Sequence, residues 1–452
     1  MENSNKTKKR KKNTSSEIKG ITRISIKGYK SIKEECEIEI KPLTILAGSN
    51  SSGKSSFMQP LLLIKQTLEQ NYDPGALLLN GANVRLNSSD QLLFKTNEYT
   101  TDHFSVGIQL DNEPYTTIVF NKRKDRPGFQ VSENIISRGK KIDVLKIGET
   151  DQEIKKSAPN KYDELTSIYP SEFTKFIGED FWYEVVRDRC FLKIALSSKS
   201  RRILYQVGSH LEHEIRGVLH LPGLRGNPER NYPTTGADDL SNFAGTFENY
   251  VASLLTYWQH SESGRKKIKT LEQYLSQLKL SSTIKTKQLN DTEVAIYVSR
   301  YTGAKGSSED LVSIADVGLG VSQTLPILVA IIQARPSQIV YIEQPEIHLH
   351  PRAQYELASI LVNAIKRGVK IIVETHSSLF IRGIQTLVAK GELGNDLIAL
   401  HWFSRSEEGV TQVNSSKLDE FGAFGDWPED FDDVALYAES EYLNAVDARS
   451  LS

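Results

Sequence analysis

Cysteine is nearly absent from this sequence: 452 residues contain only Cys36 and Cys190. They lie far apart, and neither has a neighbour at metal-ligand spacing, so two idle thiols in a reducing compartment are expected rather than a disulfide framework. Net charge is nearly absent too, at −1. With 56 Lys and Arg against 57 Asp and Glu, no global field draws the chain to nucleic acid or an anionic membrane, and such binding would have to come from local patches. Long apolar runs are missing as well. The longest stretch, around Leu325 to Ala334, is too short to span a bilayer, with Pro326 at its start and Arg335 after it. The basic run Lys8 to Lys12 has no apolar segment behind it, which argues against a secretory signal. A cytoplasmic protein is the expectation. What is present is an ordinary globular composition, 38% hydrophobic and 25% charged, long enough for one large domain or two to three smaller ones.

Residues 1–18 are polar and without periodicity, which predicts a solvated basic tail. Ile21–Lys27 and Cys36–Ile40 alternate as strands, and Leu43–Ala47 is a short apolar run ending in glycine, the pattern of a buried strand. Helical spacing follows over Phe57–Leu68. Strands are predicted at Phe104–Leu110, Tyr115–Phe120 and Glu293–Tyr301, with polar loops after the second, and helices at Phe247–His260 and Lys266–Leu280. Heptads are not sustained, so no long coiled-coil arm is expected. From about residue 310 the pattern reads helix, strand, helix, strand, helix, with strands at Gln338–Ile342 and Val369–Val373; this alternation predicts a parallel sheet covered by helices.

Three segments carry chemistry. The first, Gly48-Ser49-Asn50-Ser51-Ser52-Gly53-Lys54-Ser55, fits the G-x-x-x-x-G-K-[ST] pattern and lies between a predicted strand and a predicted helix. Its glycines let backbone N–H groups of Asn50, Ser51, Ser52, Gly53 and the following Ser56 turn toward phosphate oxygens, and the helix directs its positive end to the same place. Lys54 would reach the β- and γ-phosphates, and the Ser55 hydroxyl would ligate Mg²⁺. ATP and Mg²⁺ are therefore the expected ligands.

The second segment is the apolar strand Ile339–Ile342 followed by Glu343-Gln344-Pro345-Glu346. Such a strand is expected beside the phosphate loop, with Glu343 holding Mg²⁺, usually through water. Gln344 stands where a water-polarising glutamate is common; its amide can orient water and cannot take a proton. Glu346 is the nearest replacement base. His348 and His350 lack an evident third metal ligand, so packing and hydrogen bonding are expected of them. Further on, Glu374-Thr375-His376-Ser377 closes another strand, and His376 is placed as a γ-phosphate sensor.

The third segment, Asp316–Gln323, precedes a helix expected to start near Thr324, and its small residues and hydroxyl would make a second anion cradle. Taken together, this order of motifs resembles the ABC-type ATPase heads of the SMC, RecF and OLD group. The run Glu343 to Gln354, with Val317 to Pro326, looks like a bacterial branch often linked to anti-phage defence, which includes the ATPase subunits of Septu-type systems. Leu79-Asn80-Gly81 and the Arg225/Arg230 segment match more loosely. The resemblance implies an α/β fold: a split ATPase head with a mixed sheet flanked by helices and a large inserted region. It also implies a head-to-tail dimer in which Gly320, Ser322 and Gln323 of one copy cap the γ-phosphate held by Lys54 of the other.

On this reading residues 19–110 form an N-terminal lobe, 111–300 an insertion for a partner or sensing, and 301–452 a C-terminal lobe. Three functions compete: a defence ATPase gating a separate effector, expected to be an HNH-type nuclease; a RecF/SMC-like repair ATPase; and a transporter subunit. The transporter reading is weakened because roughly 265 residues separate Lys54 from the signature. Nucleic-acid binding stays open, and no membrane partner is expected. Gln344 points to slow hydrolysis or nucleotide-gated switching. Only about 75 residues follow His376, too few for an appended Toprim nuclease, and Asp426, Glu429, Asp430, Asp432 and Asp433 read as a solvated acidic tail anchored by Trp427 and Phe431.

Overall fold

The computed structural model describes residues 20–96, 99–111, 113–168, 181–198, 202–204, 209–234, 243–300, 310–425 and 440–443. The basic tail and the acidic cluster from Asp426 to Asp433 lie outside the described residues.

The chain opens with β1 (Ile21–Lys27), β2 (Cys36–Glu39) and β3 (Leu43–Gly48), then α1 (Lys54–Leu68). Four antiparallel strands follow, β4 (His103–Leu110), β5 (Tyr115–Lys122), β6 (Phe129–Arg138) and β7 (Lys141–Lys146), then α2 (Asp151–Ser157) and α3 (Pro159–Ile168). A second antiparallel group is β8 (Phe181–Asp188), β9 (Phe191–Ser198) and β10 (Arg202–Leu204); α4 (Ser209–Arg216) and β11 (Leu219–Leu221) come next. The middle closes with β12 (Tyr232–Pro233), α5 (Val251–His260), α6 (Glu262–Gln277), β13 (Ile284–Gln288), β14 (Glu293–Ser299) and β15 (Leu311–Ser313). The last part is α7 (Leu319–Gln333), β16 (Ile339–Glu343), α8 (Pro351–Ile365), β17 (Lys370–Thr375), α9 (Ser378–Ala389), β18 (Ile398–Arg405) and β19 (Thr411–Ser416).

The central sheet has the order β11-β16-β17-β3-β18-β19, parallel except for its last pair. Its strands are apolar on both faces, as parallel strands covered on both sides must be. Leu43, Ile45, Val340, Ile342, Ile371 and Val373 face one hydrophobic core with residues of α5 to α9. Leu46, Ile339, Tyr341, Ile372 and Phe403 face the other, shared with α1 and the antiparallel sheet β2-β1-β4-β5-β6-β7. The architecture is α/β, with mixed sheets flanked by helices, as expected.

Several expectations change. The acidic strand β16 is not beside the phosphate-loop strand: β17 lies between them, and β3 pairs with β17 and β18. The polar stretch after β5 holds strands β6 and β7; β6, paired on both sides, mixes a few buried residues with many half-exposed ones, which hides its apolar face in a polar sequence. The helix expected near Thr324 starts at Leu319, with Gly318 as its N-cap, so Gly320, Ser322 and Gln323 lie within its first turns. The boundary drawn at residue 110 falls inside the sheet that joins β4 to β5, and β11, from the middle of the chain, is a strand of the central sheet. The longest described helix, α6, has 16 residues, and no described helix is long and apolar enough to cross a membrane.

Phe57 anchors α1 to the sheet. It is fully buried and meets the Phe403 ring edge-on at 5.8 Å. Replacing it by alanine removes that contact and leaves a cavity, so Phe57→Ala should cost about 3–5 kcal/mol in urea-unfolding experiments; a loss below about 1 kcal/mol would contradict this packing.

Candidate functional site

The loop from Gly48 to Ser55 turns because three of its residues take positive φ: 145° at Gly48, 60° at Ser51 and 108° at Gly53. At Gly48 a side chain is also excluded by space, since a Cβ there would stand 2.1 Å from the Phe403 carbonyl oxygen. The loop is braced from the far end of the chain. Thr411 Oγ1 donates to the Ser52 carbonyl at 2.9 Å, and the Thr411 backbone N–H donates to Ser31 O at 2.8 Å.

Lys54 is buried, and its Nζ donates to the carbonyls of Gly48 at 2.9 Å and Ser49 at 2.7 Å. Burial lowers its pKa to about 8, against the pull of Glu374 and Glu346. The lysine is thus folded over the concave side of its own loop, bonded to weak neutral acceptors that phosphate oxygens would outcompete.

Two strand ends bring carboxylates to this loop. Glu343 and Glu374 are opposite one another in the parallel register of β16 and β17. Glu374 is 3% exposed; its Oε1 accepts from Ser55 Oγ at 2.7 Å and its Oε2 from Tyr341 OH at 2.9 Å. Burial, then the charge of Glu343, raises its pKa to about 7, although Ser55, Tyr341 and Lys54 oppose the rise. Glu343 differs. Its Oε1 meets His220 Nε2 at 3.1 Å and its Oε2 accepts from Gly223 N–H at 3.0 Å. Burial pushes its pKa up, but the His220 contact and the Gly223 N–H outweigh it, and the net position is below the ordinary value. His220 is 1% exposed, stacks on Tyr341 at 5.4 Å and reaches Asn83 Oδ1 with its other nitrogen at 3.1 Å.

Glu346 accepts at Oε1 from Thr375 Oγ1 at 2.8 Å and from His376 N–H at 2.6 Å, while its Oε2 is buried without a partner. Burial raises its pKa, a condition suited to a proton acceptor that holds its charge weakly. His376 is half-buried, and burial followed by the Lys54 charge lowers its pKa. Gln344 has φ 43°, and its backbone N–H donates to the Glu374 carbonyl at 2.7 Å. His350 caps α8, its Nδ1 accepting from Arg352 N–H at 3.3 Å. No group of three or more metal-binding side chains of the His, Cys, Asp and Glu type occurs among the described residues.

The signature segment is tied to this centre from behind. Gln323 Nε2 donates to the carbonyls of Arg225 at 2.9 Å and Gly226 at 3.1 Å, and Arg225 Nη2 donates to Gln344 O at 3.1 Å. Arg225 is 6% exposed, with Nε and Nη1 unpaired, and burial lowers its pKa to about 10. Arg230 makes a two-pronged bond with Asp316 at 3.1 and 2.7 Å. Gly320 packs against the His348 carbonyl, 3.2 Å from where a Cβ would be. Ser322 Oγ donates to Leu319 O at 3.1 Å.

A family model described as "AAA ATPase domain" matches residues 20–381. The chain belongs to the AAA ATPase domain family. No relative is found among curated proteins. Among solved structures the chain is similar to an SmcHead bound to the C-winged helix domain of ScpA, at 12% identity over 89% of this chain and 98% of that one, with a TM-score of 0.45. It is also similar to the SMC head domain from Thermotoga maritima, at 10% identity over 88% and 100%, with a TM-score of 0.41. A third similar structure is an Smc head domain with an extended coiled coil bound to the C-terminal domain of ScpA derived from Pyrococcus furiosus, at 11% over 88% and 96%, TM-score 0.46.

In this AAA ATPase four side chains of the site, Tyr341, Glu374, His220 and Thr411, are given no role by the sequence motifs. Tyr341 and Glu374 were within reach of pattern reading, since Ile339–Glu343 and Lys370–Glu374 share an apolar run ending in glutamate. His220 and Thr411 carry no local signal; only the fold brings them in.

The raised Glu374 pKa has a testable sign. Between the ordinary carboxyl value of 4.5 and about 7, the folded protein keeps a proton that the unfolded chain has released. Native-state stability then falls as pH rises through that window. Glu374→Gln removes the proton, so the wild-type stability should decline relative to the variant between pH 5 and 7 in urea titrations. A difference independent of pH would refute the assignment.

Proposed function

We propose that the protein binds MgATP at the loop Gly48–Ser56 and closes around it as a head-to-tail dimer of two copies. The observation that carries this reading is the loop itself: Lys54 curled over it, a hydroxyl at Ser55, and Glu374, Glu343, Glu346 and His376 gathered at the adjoining strand ends. The donor set offered to a cation is a hydroxyl and carboxylates, hard oxygen ligands that fit Mg²⁺. Mg²⁺, when bound, neutralises phosphate oxygens. Lys54 exchanges its carbonyl partners for phosphate, His376 reads the γ-phosphate, and Gln344 with Glu346 orients water. The amide at Gln344 favours slow turnover.

Dimerisation is supported by what Ser322 does not touch. No hydrogen bond among the described residues joins it to the phosphate loop of its own chain, and Leu319 beside it is 40% exposed. The start of α7 is therefore available to a triphosphate held by a second copy, and loss of the γ-phosphate would remove a contact that only the closed dimer has. The motif run from Glu343 to Gln354 further supports a role in prokaryotic anti-phage defence, in which this switch gates a separate HNH-type nuclease.

Two measurements test the reading. Lys54→Ala should abolish ATP binding by calorimetry; unchanged affinity removes its basis. Ser322→Arg should bind ATP normally and fail to dimerise with it in sedimentation velocity; ATP-dependent dimers of that variant would refute the composite site.

A further inference from the structure

The two strand-end glutamates are unequal neighbours of the phosphate loop. Glu374 belongs to β17, which is hydrogen-bonded directly to β3, and its Oε1 is 2.7 Å from the Ser55 hydroxyl. Glu343 stands one strand farther out, with one oxygen against His220 and the other on the Gly223 N–H. Ser55 spends its single proton on Glu374, which leaves the lone pairs of the hydroxyl free to face a cation. A cation on that oxygen meets Glu374 before it meets Glu343. Tyr341 holds the second oxygen of Glu374 at 2.9 Å and so fixes the direction in which the first one points.

Charge leads to the same residue. Glu374 is buried and Glu343, opposite it, is half-buried, and Lys54 forms no ion pair with either among the described residues, its Nζ being turned to the loop carbonyls. Of the two carboxylates, His220 is hydrogen-bonded to Glu343. A buried carboxylate without a cation is costly, and a divalent ion at Ser55 would offset that cost at Glu374.

We propose that Glu374, rather than Glu343, is the carboxylate that directly contacts the divalent cation accompanying ATP, with Glu343 held back by His220 as an outer carboxylate. This rests on the reading of the loop as an MgATP site. It makes the strand before the sensor histidine, and not the acidic strand, the source of the protein's carboxylate ligand.

The test uses the full-length protein, a non-hydrolysable ATP analogue, and Mn²⁺ as a paramagnetic stand-in for Mg²⁺. Bound Mn²⁺ is counted by electron paramagnetic resonance, and nucleotide affinity is measured separately in EDTA. Loss of an outer partner of a metal costs about 10–100-fold in metal affinity, so loss of a direct ligand should cost at least about tenfold. Glu374→Gln is expected to lower Mn²⁺ affinity by that amount while keeping nucleotide binding in EDTA, and Glu343→Gln to lower it less. Wild-type Mn²⁺ affinity in Glu374→Gln, or a larger loss in Glu343→Gln, overturns the proposal. Should Glu374→Gln fail to fold by circular dichroism, Glu374→Asp carries the same comparison, with unchanged Mn²⁺ affinity as the refuting result. A wild-type protein that binds no nucleotide either with Mn²⁺ or in EDTA would instead bring down the phosphate-loop reading, and this proposal with it.

Discussion

Charge withdrawn from water at one helix N-terminus is the constraint that the rest of the molecule serves. Lys54, Glu343, Glu346 and Glu374 meet where β3, β16 and β17 end against α1. Isolated charges in such a place cost several kcal/mol each, so each is provided with specific partners. Lys54 has loop carbonyls, Glu374 has Ser55 and Tyr341, Glu343 has His220 and a backbone N–H, and Glu346 has Thr375 and His376. The two hydrophobic cores on either side of the central sheet keep these groups fixed. Partners that are neutral or shared hold the charges loosely, and a polyanion with its cation can take them over.

The segment from β11 to Arg230 connects this centre to the start of α7. It touches Glu343 through His220 and Gly223, Gln344 through Arg225, Gln323 through the Arg225 and Gly226 carbonyls, and Asp316 through Arg230. A shift at the acidic strand end therefore reaches the signature helix through hydrogen bonds along a dozen consecutive residues. These bonds are a physical route by which the carboxylate end of β16 and the start of α7 can be coupled.

The phosphate loop, the strand before it and the helix after it were legible in sequence because every feature involved is local: glycines at fixed offsets, an apolar run, helical spacing from Phe57. The final strands and helices were legible for the same reason. Strand order was not. Ile339–Glu343 looks like the natural neighbour of the loop, and only the long-range pairing of Leu43 with Ile371 places β17 between them. The start of α7 was set too late because the small residues of Asp316–Gln323 read as an anion cradle ahead of the helix, whereas Gly318 caps it and Gly320 packs against His348 within it. Strands β6 and β7 were hidden by their half-exposed polar positions.

The position of β3 has a consequence for how the protein is made. Leu43 pairs with Ile371 on one side and Ile398 on the other, so the strand leading into the phosphate loop waits through more than 300 residues of synthesis before either neighbour exists. Such pairings bear a heavy loop-closure entropy and fold slowly. The brace from Thr411 arrives later still. On the ribosome, the emerging chain carries a complete phosphate-loop motif that has no sheet to stand in until β17, β18 and Thr411 have been made.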